Sequence, residues 1–343
     1  MVSSSNYWLW FLGIMATVGL LTNHLQEAGA QTVGACYGMW ADNLPPPNEV
    51  VALYQSKGIK KMRLYDPNTA ALQALRGSGI QVMLGLPNNN IRQAATDQSY
   101  VANWIRTNVQ AYLPAVDIRY IAVGNELIPG GDAGNVLPAM QNVYNAIRSA
   151  GLQDRIKVST SVATTVIGTS FPPSAGAFSS QSSSTMTSII RFLSSTNAPL
   201  LVNVYPYFSY IGNMRDIRLD YALFTANSDV VTDGQFRYRS LFDAIVDGVY
   251  AAMEKVGGSG VPIVVSESGW PSAGGTAATT GNAQTYNSKL VRHVGQGTPR
   301  RAGRPLETYV FAMFNENKKP AGIEQNFGLF FPNKQPVYDV SFP

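Results

Sequence analysis

Residues 33–47 read VGACYGMWADNLPPP, an apolar run followed by a turn that separates two candidate folds. The run is the first of eight. The others are KKMRLYD (60–66), IQVMLGLPN (80–88), IRYIAVGNE (118–126), IKVSTSVA (156–163), PLLVNVYPYF (199–208), PIVVSESGWP (262–271) and ETYVFAMFNEN (307–317). Several are apolar at consecutive positions, as strands buried on both faces of a parallel sheet are. Helix-like patterns lie between them at 99–113, 136–151, 186–195, 240–258 and 282–294. Two shorter ones are expected to be capped by Asn48, ending at Gly58, and by Asn68, ending before Gly77 and Gly79. Such alternation fits a doubly wound open sheet or a closed (β/α)8 barrel. A dinucleotide-binding sheet places a glycine-rich GxGxxG turn after its first strand. Here that turn is GMWADNLPPP, with three consecutive prolines and no such motif. The turn and the count of eight point to one α/β domain, a single (β/α)8 TIM barrel. The Ser-rich segment 179–188 reads as a decorated loop between the fifth and sixth strands.

Of the 343 residues, 45% are hydrophobic and 13% charged, which suits a substantial core and excludes a charged disordered tail as a main feature. Tyr7–Leu21 is apolar and is followed by Ala28-Gly29-Ala30, a small-x-small triplet. The pair reads as a cleaved leader over 1–30, leaving 31–343 as the domain, with Gln31 free to cyclise to pyrrolidone carboxylic acid. The apolar run is short for a bilayer span of about 20 residues, so no membrane association is expected after cleavage. Residues 31–343 carry 25 basic and 20 acidic side chains. No run of five like charges occurs and Lys and Arg do not interleave with aromatics, so no nucleic-acid partner is expected. The mild positive charge suits retention on anionic polymers. Cys36 is the only cysteine, so no intrachain disulfide can form, and its apolar setting predicts a buried, inert thiol. No N-glycosylation sequon is present.

Residues 31–343 hold one histidine, His293, and that one cysteine. These are too few for an ordinary His/Cys zinc site or a Cys–His pair, and no metal or cofactor is expected. His293 lies in the amphipathic stretch YNSKLVRHV and reads as a solvent-facing helix residue. Chemistry therefore falls to carboxylates. In a barrel, functional groups gather where strands end. Those ends offer Arg63-Leu64-Tyr65-Asp66, Gly124-Asn125-Glu126, Asn203 to Phe208, Ser266 to Trp270 and Phe314 to Asn317. Glu126 and Glu267 close the fourth and seventh runs. Acetal cleavage needs one carboxyl group to protonate the leaving oxygen and a second to attack the anomeric carbon or activate water. A separation of about 5–5.5 Å goes with retention and a wider one with inversion, an alternative these residues leave open. Tyr65, Tyr205, Tyr207, Phe208 and Trp270 offer faces for the C–H side of sugar rings, and Asn125 a hydrogen bond to a hydroxyl.

Several motifs are similar to those of the plant β-1,3-glucanases of glycoside hydrolase family 17, the pathogenesis-related group. They are VGACYGMWADNLPPPNEVV, RLYDPN, YIAVGNELIPG, PPSAGAF, LLVNVYPYF, VVSESGWPSAGG and FAMFNENKKPAGIEQNFGLF, spread over nearly all of residues 31–343. The resemblance implies a (β/α)8 barrel with a long open cleft, endo cleavage and retention. It implies Glu126 as acid/base and Glu267 as nucleophile. Tyr65, Phe208, Glu316, Lys319 and Glu324 match cleft positions, the last three as an ion-pair network supporting the nucleophile. The implied partner is a β-glucan polysaccharide, met by a monomer secreted to the cell exterior. The ending at 338–343, directly after the barrel pattern, carries the same expectation of release. Mixed-linkage 1,3-1,4-glucan is the alternative substrate within the family. A non-catalytic glucan-binding wall protein is a third reading, disfavoured because both carboxylates are kept. The family covers roles in defence and in callose turnover. Trp40 and Ala41, after the first run, depart from the pattern and are expected to reshape one end of the cleft.

Overall fold

In the computed structural model, which describes residues 32–342, each of the eight runs contains a parallel strand. They are β1 (Val33–Tyr37), β2 (Lys61–Leu64), β3 (Gln81–Leu86), β4 (Asp117–Asn125), β5 (Lys157–Ala163), β6 (Leu200–Asn203), β7 (Ile263–Ser268) and β8 (Thr308–Val310). Each pairs with the next, and Val33 pairs with Thr308 so that β8 closes onto β1. The expected leader and Gln31 lie outside the described residues.

Alternation of side chains along each strand divides the wall into two faces. Met62 and Leu64 of β2, Val82 and Leu84 of β3, and Ile263 and Val265 of β7 join the core between the barrel and its helices. The intervening positions, among them Cys36, Met83, Ala122, Leu201 and Val264, form a second cluster inside the barrel. At its lower end Glu307 pairs with Lys61 at 3.2 Å and accepts hydrogen bonds from Tyr120 and Tyr309. The barrel is thus a packed core whose usable surface is the upper rim.

The helices include α1 (Pro47–Ser56), α2 (Thr69–Ala74), α3 (Gln98–Asn108), α4 (Ala133–Ser149), α5 (Ser183–Thr196), α6 (Leu241–Lys255) and α7 (Thr280–His293). Asn68 caps α2 as expected, accepting from the Ala71 N–H at 2.9 Å. Asn48 does not cap α1. The helix begins one residue earlier at Pro47, whose fixed φ and missing N–H suit a first helical position, so Asn48 falls inside the first turn. The Ser-rich segment is a loop only in part, because α5 already starts at Ser183. The sixth run also divides: β6 stops at Asn203 and Pro206 opens a short helix to Gly212, which carries Phe208. Among the described residues no helix is long and apolar enough to cross a membrane.

Candidate active site

Both glutamates stand where the barrel wall loses its regular register. Around Glu267 the pairing of β7 with β6 shifts between Val265 and Glu267, and that with β8 between Val265 and Ser268. Around Glu126 the pairing of β4 with β5 shifts between Ala122 and Asn125. Gly124 has φ 73° and Glu126 itself has φ 56°. The left-handed φ at Gly124 is one that favours glycine, while the nearest atom to a β-carbon there, Leu127 Cδ1 at 2.8 Å, is the free end of a side chain able to move. The left-handed backbone at Glu126 costs about 1–3 kcal/mol, a cost typical of residues held for function. Irregularities of this kind re-aim side chains out of the alternating pattern, here toward the barrel mouth.

The two carboxylates occupy one open cleft of about 810 Å³. Glu267 is buried and receives three hydrogen bonds. Arg63 Nη1 and the Tyr65 hydroxyl each donate to Oε1 at 2.8 Å, and the Tyr205 hydroxyl donates to Oε2 at 2.6 Å. Burial holds both phenols well above their usual pKa, so they remain donors. Glu126 receives one bond, from Asn203 Nδ2 at 2.8 Å. The Asn203 carbonyl accepts from Arg63 Nη1 at 3.1 Å and from the Ser266 hydroxyl at 2.7 Å. Arg63 and Asn203 therefore bridge the two carboxylates. Arg63 Nη2 also donates to Asn125 Oδ1 at 2.7 Å and to Ser161 Oγ at 3.1 Å.

The environments differ in kind. By accessible surface Glu126 is open to the cleft, yet protein surrounds it on the other sides. That crowding raises its pKa above the ordinary carboxyl value, and the nearby charge of Glu267 raises it further. A carboxyl group biased toward its proton beside a carboxylate held by a guanidinium and two phenols is a pairing suited to acid-assisted displacement.

The family model "Glycosyl hydrolases family 17" matches residues 33–342. The chain belongs to this family. It is 54% identical over 334 residues to a glucan endo-1,3-beta-glucosidase of Vitis vinifera, covering 96% of this chain and 97% of that one. It is 51% identical over 312 residues to Lichenase-2 of Hordeum vulgare, covering 91% and 99%. Among solved structures, one from a study of two plant beta-glucan endohydrolases with distinct substrate specificities is 52% identical. It superposes with a TM-score of 0.87 over 90% of this chain and 99% of that one.

In this family 17 barrel, Tyr65, Asn125, Tyr205, Phe208, Glu316, Lys319 and Glu324 all line the cleft. Trp270 does not. Its indole is fully buried, donates to the Ala277 carbonyl at 2.9 Å, and packs against Tyr207 and Tyr286 with centroids at 5.0 and 5.5 Å. Tyr207 is buried likewise, so neither forms the sugar-facing wall expected of it. The strand ends at Ser268, and the chain then turns Trp270 down between helices.

Glu316, Lys319 and Glu324 form the expected ion-pair network: Lys319 sits 3.6 Å from Glu316 and 4.0 Å from Glu324, with its ammonium 4.3 Å above the Phe311 ring. The cation paired with Glu267 is Arg63, at 2.8 Å. Arg63 and Asn203 stand among the strand-end residues of the sequence, but no role was expected of either. The available signal was an arginine inside the buried pattern KMRL, because a buried arginine demands a partner. His293 is half-buried rather than solvent-facing, since its Nε2 meets both Asp243 oxygens at 2.8 and 2.9 Å. Cys36 is buried as expected, and burial pushes its thiol up to about 12. Among the described residues, no three His, Cys, Asp or Glu side chains are grouped so as to hold a metal ion.

Proposed function

We propose that the protein is a retaining endo-hydrolase of 1,3-β-glucan, with Glu267 as nucleophile and Glu126 as acid/base. The observation that carries this reading is the unequal setting of two carboxylates in one cleft: Glu267 buried among Arg63, Tyr65 and Tyr205, Glu126 open and biased toward its proton. An elongated polysaccharide fits an open cleft better than an enclosed pocket. The name and 54% identity of the Vitis vinifera relative support the 1,3-linkage.

In the first step Glu267 attacks the anomeric carbon as Glu126 donates its proton to the departing glycosidic oxygen. Arg63, Tyr65 and Tyr205 hold Glu267 in one orientation, so little reorganisation accompanies attack. Ester formation consumes the charge of Glu267. That charge had raised the pKa of Glu126, so its loss makes Glu126 readier to remain ionised. Glu126 then accepts a proton from water, which displaces Glu267 and restores both groups. Tyr65, Asn125, Phe208, Lys319 and Glu324 bind or order the chain, while Glu316 anchors the adjoining loop.

The test is product analysis on laminarin with proton NMR from the first minutes. Short oligosaccharides released first as β-anomers are expected, and initial α-anomers would overturn double displacement. The 51% identity to Lichenase-2 makes lichenan the necessary comparison; cleavage of lichenan alone would assign mixed-linkage glucan instead. We further propose that the protein is an exported monomer beginning at Gln31, to be checked by mass spectrometry and light scattering of the protein recovered outside the cell.

A further inference from the structure

Trp40 is 67% exposed, whereas Trp104 and Trp270 are buried. Its position is not that of a stray surface residue. With Gly38 and Met39 it lines the cleft that holds Glu126 and Glu267. Among the described residues no aromatic ring stacks on its indole, and its Nε1–H has no protein acceptor. The backbone beneath it is nonetheless held on both sides. The Trp40 N–H donates to Glu316 Oε1 at 2.8 Å, and the Trp40 carbonyl accepts from the Lys318 N–H at 3.1 Å. Two residues on, Asp42 pairs with Lys318 at 2.6 Å, and its carboxylate accepts from Asn317 Nδ2 at 2.7 Å. Gly38 lets this clamp close, because a β-carbon there would stand 2.4 Å from a Glu316 oxygen.

Fixing the main chain while leaving a large apolar side chain in water gains nothing for the fold. It pre-organises a flat apolar face with one free donor, the equipment that binds the C–H side of a pyranose ring and one of its hydroxyls. The other exposed aromatic of the cleft, Phe208, leaves from beyond β6. It packs with Tyr205, whose hydroxyl bonds Glu267, and so belongs to the wall at the reacting centre. Trp40 leaves from beyond β1, three strands round the barrel from β6, and its hydrogen bonds go to Glu316 and Lys318, not to Glu126 or Glu267.

We propose that Trp40 is a sugar-stacking platform set apart from the reacting bond, one that only longer glucan chains reach. The proposal rests on the glucan-hydrolase reading above. It makes Trp40 a residue that sets chain-length preference, acting on binding rather than on bond cleavage.

The experiment compares wild type, Trp40→Ala and Trp40→Phe on laminari-oligosaccharides from three to seven sugars. Acrylamide quenching of tryptophan fluorescence in a Glu267→Gln background then reads binding without turnover, the Trp40 signal being assigned by its loss in Trp40→Phe. Trp40→Ala is expected to lose about tenfold in kcat/KM on the longest chains, as removal of one stacked ring face would cause. The loss should lie in KM, leave the trisaccharide unaffected and be largely recovered by Trp40→Phe. Long oligosaccharides should shield the indole from acrylamide, and the trisaccharide should not. An equal effect at every length, no effect at any length, or an unshielded indole would overturn the platform. A wild type that cleaves no glucan while its indole is shielded would overturn the hydrolase reading and leave the platform standing.

Discussion

Replacing Arg63 by methionine tests the centre of the site. Arg63 is 1% exposed and its side chain makes five hydrogen bonds, to Glu267, Asn203, the Ser266 carbonyl, Asn125 and Ser161. Methionine fills similar volume, so packing loss is small. Most of Arg63's partners keep another bond: Asn203 Oδ1 still accepts from Ser266, Asn125 Oδ1 from Asn203, and the Ser266 carbonyl from Cys36. The principal casualty is Glu267, a buried carboxylate left without its cation. Breaking a buried pair costs about 3–5 kcal/mol. Because Tyr65 and Tyr205 still bond Glu267, the lower figure applies. For a barrel of this length about 3 kcal/mol lowers Tm by about 5 °C. Loss of one charge-assisted bond that orients Glu267, the proposed nucleophile, should slow turnover about 10- to 100-fold. Arg63→Lys should recover part of the stability but little of the rate, since one ammonium cannot serve Glu267, Asn203 and Asn125 as a planar fork does. Melting by circular dichroism and initial rates on laminarin read both quantities. An Arg63→Met enzyme melting within about 1 °C of wild type and turning over within about twofold would refute the assignment of Arg63 as the essential partner of Glu267.

Trp270→Ala should behave as a core mutation, losing about 3–5 kcal/mol by denaturant unfolding. A changed KM at unchanged stability would instead return Trp270 to the cleft. Because the charge of Glu267 helps to raise the pKa of Glu126, Glu267→Gln should let Glu126 titrate at lower pH, as followed by carboxyl-carbon NMR; an unmoved titration would deny their coupling. Asp247 is fully buried, and burial raises its pKa to about 6 despite bonds from Thr298, the Arg300 N–H and Tyr238. A carboxyl raised on folding stabilises below its unfolded pKa, and that stabilisation is lost as pH rises through the folded one. Between about pH 4 and pH 6 this group should thus remove on the order of 3 kcal/mol, a slope that Asp247→Asn abolishes. Parallel unfolding curves for the two proteins across that range would refute it.

The sequence by itself determined the barrel and the glutamate pair. Eight short apolar runs separated by helical patterns leave few architectures, and runs apolar at consecutive positions mark strands buried on both faces. Asn68 as a cap and Cys36 as a buried thiol were legible for the same reason: each depends on residues a few positions away. What lay beyond reach were partners chosen by closure of the barrel. Arg63 and Glu267 are 204 residues apart and meet because β2 and β7 aim side chains into one enclosed space. The burial of Trp270 among Tyr207 and Tyr286 depends on where the chain turns after β7 ends. The register shifts beside Glu126 and Glu267 belong to the same class. Local periodicity reports how a segment meets solvent, whereas the company a buried charge keeps is decided by strands brought together from the whole chain.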